Sequence, residues 1–352
     1  MSKYWSKLTA SLVPYVPGEQ PKDQRYIKLN TNENPYPPSP KVIEAIQAAV
    51  NEDLRLYPDP TCEKLTEKIA HYYRLTEDQV FVGNGSDEIL AFAFQGFFSP
   101  DRPILFPDIT YSFYPVYAKL YGLTYETLPV DENFKVEPEH FRIPNGGIIV
   151  PNPNAPTARY MPLESLRIIL DANREQVVIV DEAYIDFGGD SAIRYIAEYP
   201  NLLVVQTLSK SRSLAGLRVG MAMGHKDLIE GLNRIKNSFN SYTLDRLALA
   251  GSIAAIEDQS YFEETTRKVT ATRERTIQAL KPIGFRIIES QANFIFITHP
   301  QQSAQHLFDG LRARGILVRF FNKPRINQFL RVSIGTDEEM ETFVAAMGQI
   351  VG

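Results

Sequence analysis

The sequence predicts an α/β fold: a mainly parallel sheet covered by helices on both faces, followed by a smaller α+β domain. From Ile104 onward, short apolar runs alternate with loops and helical patterns, the signature of βαβ units rather than hairpins. The runs at 104–106, 148–150, 177–180 and 202–205 each lead into a polar cluster, and ligands of open parallel sheets sit at the carboxyl ends of strands. Beyond about Leu244 helical periodicity dominates, interrupted by strand-like stretches at 293–297, 315–319 and 329–334, which reads as a second body. A chain of 352 residues exceeds what one core ordinarily serves. The division expected is 1–50 as an N-terminal arm and first part of the small domain, 51–245 as the large domain, and 246–352 as the C-terminal small domain.

Taken in order, residues 1–28 mix aromatic residues with proline and glycine (Trp5, Pro14, Tyr15, Pro17, Gly18). That is too irregular for a domain and too apolar for a disordered tail, so an arm packed on another surface is expected. A proline-stiffened polar loop follows, Asn30-Thr31-Asn32-Glu33-Asn34-Pro35. Ser39 with Pro40 at the first helical position then starts a helix through Val50. Leu56-Tyr57-Pro58 is a second stiff connector, before a helix over 62–73. Gly83-Asn84-Gly85-Ser86-Asp87-Glu88 opens the next helix; backbone N–H groups and the helix dipole there can hold a phosphate, although Ser-Asp-Glu is also ordinary capping chemistry. The alternating region adds a helix ending near Tyr121, the loop Pro151-Asn152-Pro153-Asn154-Ala155-Pro156-Thr157, a helix over 163–172, and Asp181-Glu182-Ala183-Tyr184 at a strand end.

Composition narrows the function. A net charge of −5 argues against a nucleic-acid footprint while leaving room for a local basic pocket. A single cysteine, Cys62, precludes an intramolecular disulfide and fits a reducing cytosol. No apolar run reaches membrane-spanning length and the N-terminus shows no signal-peptide pattern, so a cytoplasmic, untethered protein is expected, with no membrane or nucleic-acid partner.

Lys210 stands out. It follows the apolar run ending at Val205, lies between Ser209 and Ser211, and has Arg218 eight residues on. A Schiff-base lysine needs such a place at the end of a rigid element, though most lysines are merely solvated. Pyridoxal phosphate is the cofactor whose demands match the other strand ends. Lys210 offers its aldehyde an amine, and Asp181 a carboxylate for the ring nitrogen. Tyr184 and Asn154 are candidate donors to the ring oxygen, and Tyr111 is placed to stack on the ring. Gly85, Ser86, Asp87 and Glu88, with Ser209 and Arg218, form the candidate phosphate site. Each residue has an ordinary structural role available to it; their coincidence at neighbouring strand ends favours the functional one. Ser211 and Arg212 receive no role.

Order and spacing carry a resemblance. Asn30-Thr31-Asn32-Glu33-Asn34-Pro35, Leu56-Tyr57-Pro58, Gly85-Ser86-Asp87-Glu88, Asn154-Ala155-Pro156-Thr157, Asp181-Glu182-Ala183-Tyr184, Ser209-Lys210 through Arg218-Val219-Gly220, and Leu330-Arg331-Val332-Ser333 occur in sequence. The chain resembles the fold-type I pyridoxal-phosphate aminotransferases, and within them the histidinol-phosphate aminotransferase family. The resemblance implies that Lys210 carries the cofactor and then moves the substrate proton, that Asp181 pairs with the ring nitrogen, and that Tyr184 meets the phenolic oxygen. It implies that Tyr57 completes the neighbouring subunit's site, hence a homodimer with shared active sites. Arg331, assisted by Arg319, would bind the substrate anion, with Asn32, Glu33 and Asn34 over the substrate. The implied reaction exchanges an amino group between L-histidinol phosphate and 2-oxoglutarate, giving imidazole-acetol phosphate and L-glutamate, in histidine biosynthesis. A threonine-phosphate decarboxylase, an aromatic amino-acid aminotransferase, and a non-catalytic cofactor-binding regulatory module are the alternatives. The chain departs from the family where Ala155 replaces the second of two asparagines. Ala158 in place of glycine predicts a turn without positive φ.

Overall fold

A computed structural model describes residues 2–352. Its main sheet has seven strands in the spatial order Val80–Gly83, Gly220–Gly224, Leu202–Thr207, Val178–Asp181, Gly147–Pro151, Ile104–Pro107 and Tyr125–Leu128. Gly220–Gly224 alone runs against its neighbours; the other pairings are parallel. All strands but the last are buried along their whole length, which is why those beginning at Ile104, Gly147, Val178 and Leu202 read as continuous apolar runs rather than alternating ones. Tyr125–Leu128 lies at the edge and buries only Leu128.

Alternate side chains of each strand enter different cores, as the pleat requires. Ile148, Val150, Val178, Val180, Leu202 and Val204 face one cluster, shared with Leu65, Leu166 and Ala248 from helices Glu63–Tyr73, Leu163–Ala172 and Arg246–Glu257. Ile149, Ile179, Leu203 and Val205 face the other, with Leu90, Ala118 and Leu232 from helices Gly85–Phe97, Tyr114–Leu120 and Lys226–Phe239.

The second body is an antiparallel sheet in the order Arg319–Phe320, Leu330–Ser333, Phe294–Thr298, Arg286–Ile288. Helices Gln259–Leu280, Ala304–Ala313 and Asp337–Val351 pack their apolar residues in its core. Ile27–Lys28 pairs in parallel with Ile316–Leu317, so the chain leaving the N-terminal arm joins this body. Helix Pro40–Ala49 instead sends Val42 into the large-sheet cluster, beside Ala248 and Ile256. Both sides of the cut expected at residue 245 therefore share that core, because Arg246–Glu257 packs there too.

Between the bodies, Ile109, Val130 and Phe134 pack on Ile288, Phe296, Ile326 and Phe329. Arg325 spans the same seam, donating to Asp108 at 2.7 Å and to the carbonyls of Val130 and Asp131 at 2.8 and 3.0 Å.

One local expectation is corrected. Ala158 has φ of 65°, a left-handed turn despite its side chain. The Asn154 carbonyl accepts its N–H at 2.7 Å and the Gln291 N–H binds its carbonyl at 3.1 Å. Those bonds, with the methyl fully buried against Ala292 and Phe294, hold a conformation that costs an alanine about 1–2 kcal/mol.

Helix Gly85–Phe97 is seated by a close backbone approach. A Cβ on Gly220 would lie 2.5 Å from both the Gly85 carbonyl carbon and the Ser86 nitrogen, so only glycine lets the strand pass the helix start. Gly220→Ala should lower the unfolding free energy by about 1–3 kcal/mol through overpacking, read from urea titration. An unchanged midpoint would contradict this account of the contact.

Candidate active site

The aligned strand ends open on a cleft of about 610 Å³ between the two bodies. Ser86, Asp87, Tyr111, Asp181, Tyr184, Ser209, Lys210 and Arg218 line it from the large sheet, and Asn32, Arg319 and Arg331 from the opposite side. The register explains the convergence: Pro151 is opposite Asp181 and Asp181 opposite Val205, so the loops that follow leave the sheet at one edge.

Lys210 lies just past the Leu202–Thr207 strand. Its ammonium donates to the Thr31 carbonyl at 3.2 Å and sits 5.8 Å from the centre of the Tyr184 ring. Burial pushes its pKa down to about 8, reinforced by Arg331 and Arg218 and opposed by Glu33 and Asp87. A neutral, nucleophilic amine is therefore abundant at mildly alkaline pH. Desolvation acts in the opposite sense on Asp181, whose carboxyl it raises to about 6. Asp181 accepts from the Tyr114 hydroxyl at 2.8 Å and from the Ala183 N–H at 3.3 Å.

The Tyr184 hydroxyl accepts from the Asn32 amide at 3.1 Å. Burial raises its pKa, while Arg331 and the Asn32 bond pull it back. Asn32 is itself in the left-handed region with φ of 57°. It is held there by the Ser333 hydroxyl, which accepts its N–H and donates to its side-chain carbonyl, both at 2.9 Å.

Anion-binding groups lie on two sides of the cleft. At the start of helix Gly85–Phe97 the Asn84 side chain makes no capping bond, so first-turn N–H groups stay available beside Ser86 and Asp87. Arg218 reaches Ser209 and Asp87 only through long contacts of 3.4 Å each, a loose arrangement that a phosphate can tighten. On the small sheet, Arg319 and Arg331 are directly opposite each other. Like charges so paired destabilise a sheet, yet Arg331 is desolvated, its guanidinium pushed below its ordinary value by burial. One Arg331 Nη donates to the Asn30 carbonyl at 2.8 Å, while its buried Nε has no hydrogen-bond partner among the described residues. The Arg331 Nε is therefore a buried donor without an acceptor beside a second guanidinium, a placement that favours an anion.

Several predicted residues stand outside the cleft wall. Glu88 turns back to accept the Asn84 N–H at 2.7 Å, the capping role that its motif also allowed. Glu33 accepts from Lys28 and Thr31; burial pushes its carboxyl up, but those bonds and the charges of Lys28 and Lys210 outweigh it and leave the pKa lowered. The Asn34 amide donates to the carbonyls of Lys210 and Ser211 at 3.1 and 3.2 Å, bracing the lysine loop from behind. The Asn154 amide is spent on the Ile109 carbonyl and Thr157 hydroxyl at 2.9 and 3.0 Å. The neighbouring wall is Pro153, Ala155 and Pro156, which offers the cleft no side-chain donor. Gly85, at φ of 76°, leaves space that a Cβ would take 2.8 Å from the Arg218 guanidinium. Tyr57 is exposed and stacks on Tyr242 with ring centres 4.7 Å apart.

Other residues were missed. Tyr15, Pro17 and Gly18 of the N-terminal arm line the cleft, where the Arg319 guanidinium donates to the Pro17 and Val16 carbonyls at 3.4 and 3.3 Å. Irregular sequence gave this no signal beyond the expectation of a packed arm. Tyr114, the partner of Asp181, lies three residues past Tyr111 in an aromatic run that reads simply as core. Ser211 and Arg212 acquire structural work: Ser211 donates to Asp186, and the Arg212 guanidinium lies 3.9 Å from the Phe262 ring centre. Cys62 is buried and its thiol raised to about 11 by that burial, which disfavours the nucleophilic thiolate.

Comparison with known proteins fixes the family. Residues 24–347 match aminotransferase class I and II. The chain belongs to that family. This aminotransferase is 61% identical over 344 residues to a protein of Clostridium acetobutylicum named histidinol-phosphate aminotransferase, covering 98% of each chain. It is 60% identical to the protein of that name from Clostridium beijerinckii, covering 98% of this chain and 96% of the relative. The fold is also that of the crystal structure of histidinol-phosphate aminotransferase from Sinorhizobium meliloti in complex with pyridoxal-5'-phosphate, at a TM-score of 0.90 and 23% identity, covering 100% of this chain and 98% of the other.

The lowered lysine pKa has a direct readout. In cofactor-free protein, reductive methylation of Lys210 should show a pH midpoint near 8, with the neutral reactive form lost as pH falls below it, measured by peptide mass spectrometry. A midpoint in the ordinary lysine range would remove the argument for a desolvated amine.

Proposed function

We propose that this protein is a pyridoxal-phosphate-dependent transaminase of histidine biosynthesis, interconverting L-histidinol phosphate and 2-oxoglutarate with imidazole-acetol phosphate and L-glutamate. The observation that carries the reading is the meeting, in one cleft, of a desolvated amine (Lys210) with a cross-strand arginine pair, Arg319 and the desolvated Arg331. Close identity to relatives named for this activity supports the substrate.

The residues present fit pyridoxal phosphate. Amine, carboxylate and tyrosine hydroxyl line one wall, and the loosely held Arg218 lies beside an uncapped helix start. When bound, the cofactor supplies an aldehyde for the amino group and a ring that accepts the electron pair released at the substrate carbon. Lys210 would hold it through Nζ, and the same amine would serve as the base that moves the proton at the substrate carbon. The carboxylate of Asp181 keeps a proton at the ring nitrogen. Tyr184 would donate to the ring oxygen, while the Asn154 amide is engaged by the Ile109 carbonyl and the Thr157 hydroxyl. Tyr111 backs the ring, its hydroxyl fixed on Asp87 at 3.1 Å. Ser86, Ser209 and Arg218 hold the cofactor phosphate together with the helix N–H groups. Arg331 and Arg319 take the substrate's carboxylate or phosphate, while the arm at Tyr15 and Pro17 limits access of water.

The same reading makes the protein a cytoplasmic homodimer. Among the described residues no helix is long and apolar enough to cross a membrane. Tyr57, exposed next to the apolar Leu54 and Leu56, is suited to reach the cofactor phosphate in a second copy's site.

Mixing the cofactor-loaded enzyme with single amino donors tests the substrate. Rapid conversion of the absorption spectrum by histidinol phosphate and by glutamate, and not by phenylalanine, is expected; carbon dioxide release without amino transfer would make it a decarboxylase instead. Lys210→Ala should eliminate the lysine-bound cofactor band and reduce turnover by about 10²–10⁴-fold or more. Persisting turnover would exclude Lys210 as the proton carrier.

A further inference from the structure

Tyr114 is a fully buried tyrosine at the start of helix Tyr114–Leu120. Its ring meets Tyr111 edge-on with centres 5.6 Å apart, and also contacts Phe106 and Phe94 at 5.9 and 6.3 Å. Phenylalanine would satisfy all of that packing. The hydroxyl is the part that packing does not explain, and it donates to Asp181 Oδ2 at 2.8 Å. The remaining hydrogen bond to this carboxylate is the longer one from the Ala183 N–H, at 3.3 Å to Oδ1. No cation pairs with Asp181 among the described residues.

We infer that Tyr114 is a positioning residue for catalysis, its hydroxyl fixing the orientation and anionic state of Asp181 while its ring packs perpendicular to Tyr111. The inference rests on the cofactor reading above, in which Asp181 serves the ring nitrogen and Tyr111 the ring face. One side chain then braces both contacts to the ring.

The electrostatics run the same way. Burial is the main influence raising the Asp181 carboxyl, and Asp87, on the neighbouring helix, adds to it; the Tyr114 and Ala183 bonds oppose both. The other titratable groups coupled to Asp181 are Tyr117, on the same helix as Tyr114, and Tyr184 beyond the strand end. Their hydroxyls are raised and so stay neutral while Asp181 titrates. Removing the Tyr114 hydroxyl leaves the carboxylate with one weak donor, so it protonates at higher pH and gains rotamer freedom.

Tyr114→Phe, which keeps the ring packing, is the test. In cofactor-free protein the Asp181 carboxyl, followed by 13C NMR, should titrate about one unit higher, the tenfold change in protonation that one unit represents. Pyridoxal phosphate should dissociate about tenfold more readily, and the acid limb of the kcat profile should move up while KM for glutamate changes less than twofold. Site-specific 3-fluorotyrosine, a stronger donor of nearly the same shape, should shift the Asp181 titration downward and so tests the bond without disturbing folding. An Asp181 titration unmoved by either substitution overturns the inference. Asp181→Asn separates the two levels. If it leaves cofactor affinity intact, the assignment of Asp181 to the ring nitrogen fails; if it weakens cofactor binding while Tyr114→Phe is silent, only the role of Tyr114 falls.

Discussion

Parallel pairing of Gly147–Pro151, Val178–Asp181 and Leu202–Thr207 governs the rest of the structure. The ladder places Asp181 between Pro151 and Val205, so the polar loops leave at one edge and face a shared space. The strands are buried along their whole length, and groups at that edge inherit their poor solvation. One cause then produces opposite shifts: the Lys210 ammonium is disfavoured and moves down to about 8, while the Asp181 carboxylate is disfavoured and moves up to about 6. Acid and amine are drawn toward each other on the pH scale by position alone.

The small sheet contributes a different constraint. Pairing Arg319 with Arg331 puts two cations on adjacent strands, at a cost in the free protein that an anionic ligand removes. Nearby aromatic faces moderate that cost: the guanidiniums of both arginines lie 5.6 Å from the ring centre of Phe321. The cleft thus combines a large-sheet wall for chemistry with a small-sheet wall for charge, and the Arg325 bonds to Asp108 and the 130–131 carbonyls hold the walls together.

Much of this was legible in the sequence where a buried strand declared itself by an apolar run and delivered a polar residue at its end: Asp181, Tyr184, Ser209 and Lys210 follow that rule. Strands without such a run were missed. Gly220–Gly224 contains methionine and alanine between glycines, and Tyr125–Leu128 is an exposed edge, so neither has the β-branched pattern that marks a strand. The direction of a side chain within a motif was also illegible. Asn154 and Glu88 occupy suitable positions in the chain, but the Asn154 amide is held by the Ile109 carbonyl and the Thr157 hydroxyl, and the Glu88 carboxylate by the Asn84 N–H. Ala158 shows the limit of residue preference, because surrounding hydrogen bonds impose a conformation that its Cβ resists. Tyr114 was hidden by its aromatic character, which packing accounts for until the hydroxyl contact is seen.

Asn32 joins parts of the molecule that are far apart in the chain. Its backbone and side chain are fixed to Ser333 on the small sheet, its carbonyl accepts from Asn293, and its amide holds the Tyr184 hydroxyl at the large sheet's edge. Such a junction behaves as a mechanical linkage. A rotation of the small body about the seam would be transmitted through one asparagine to the Tyr184 hydroxyl, so the position of that hydroxyl would follow any change in the width of the cleft.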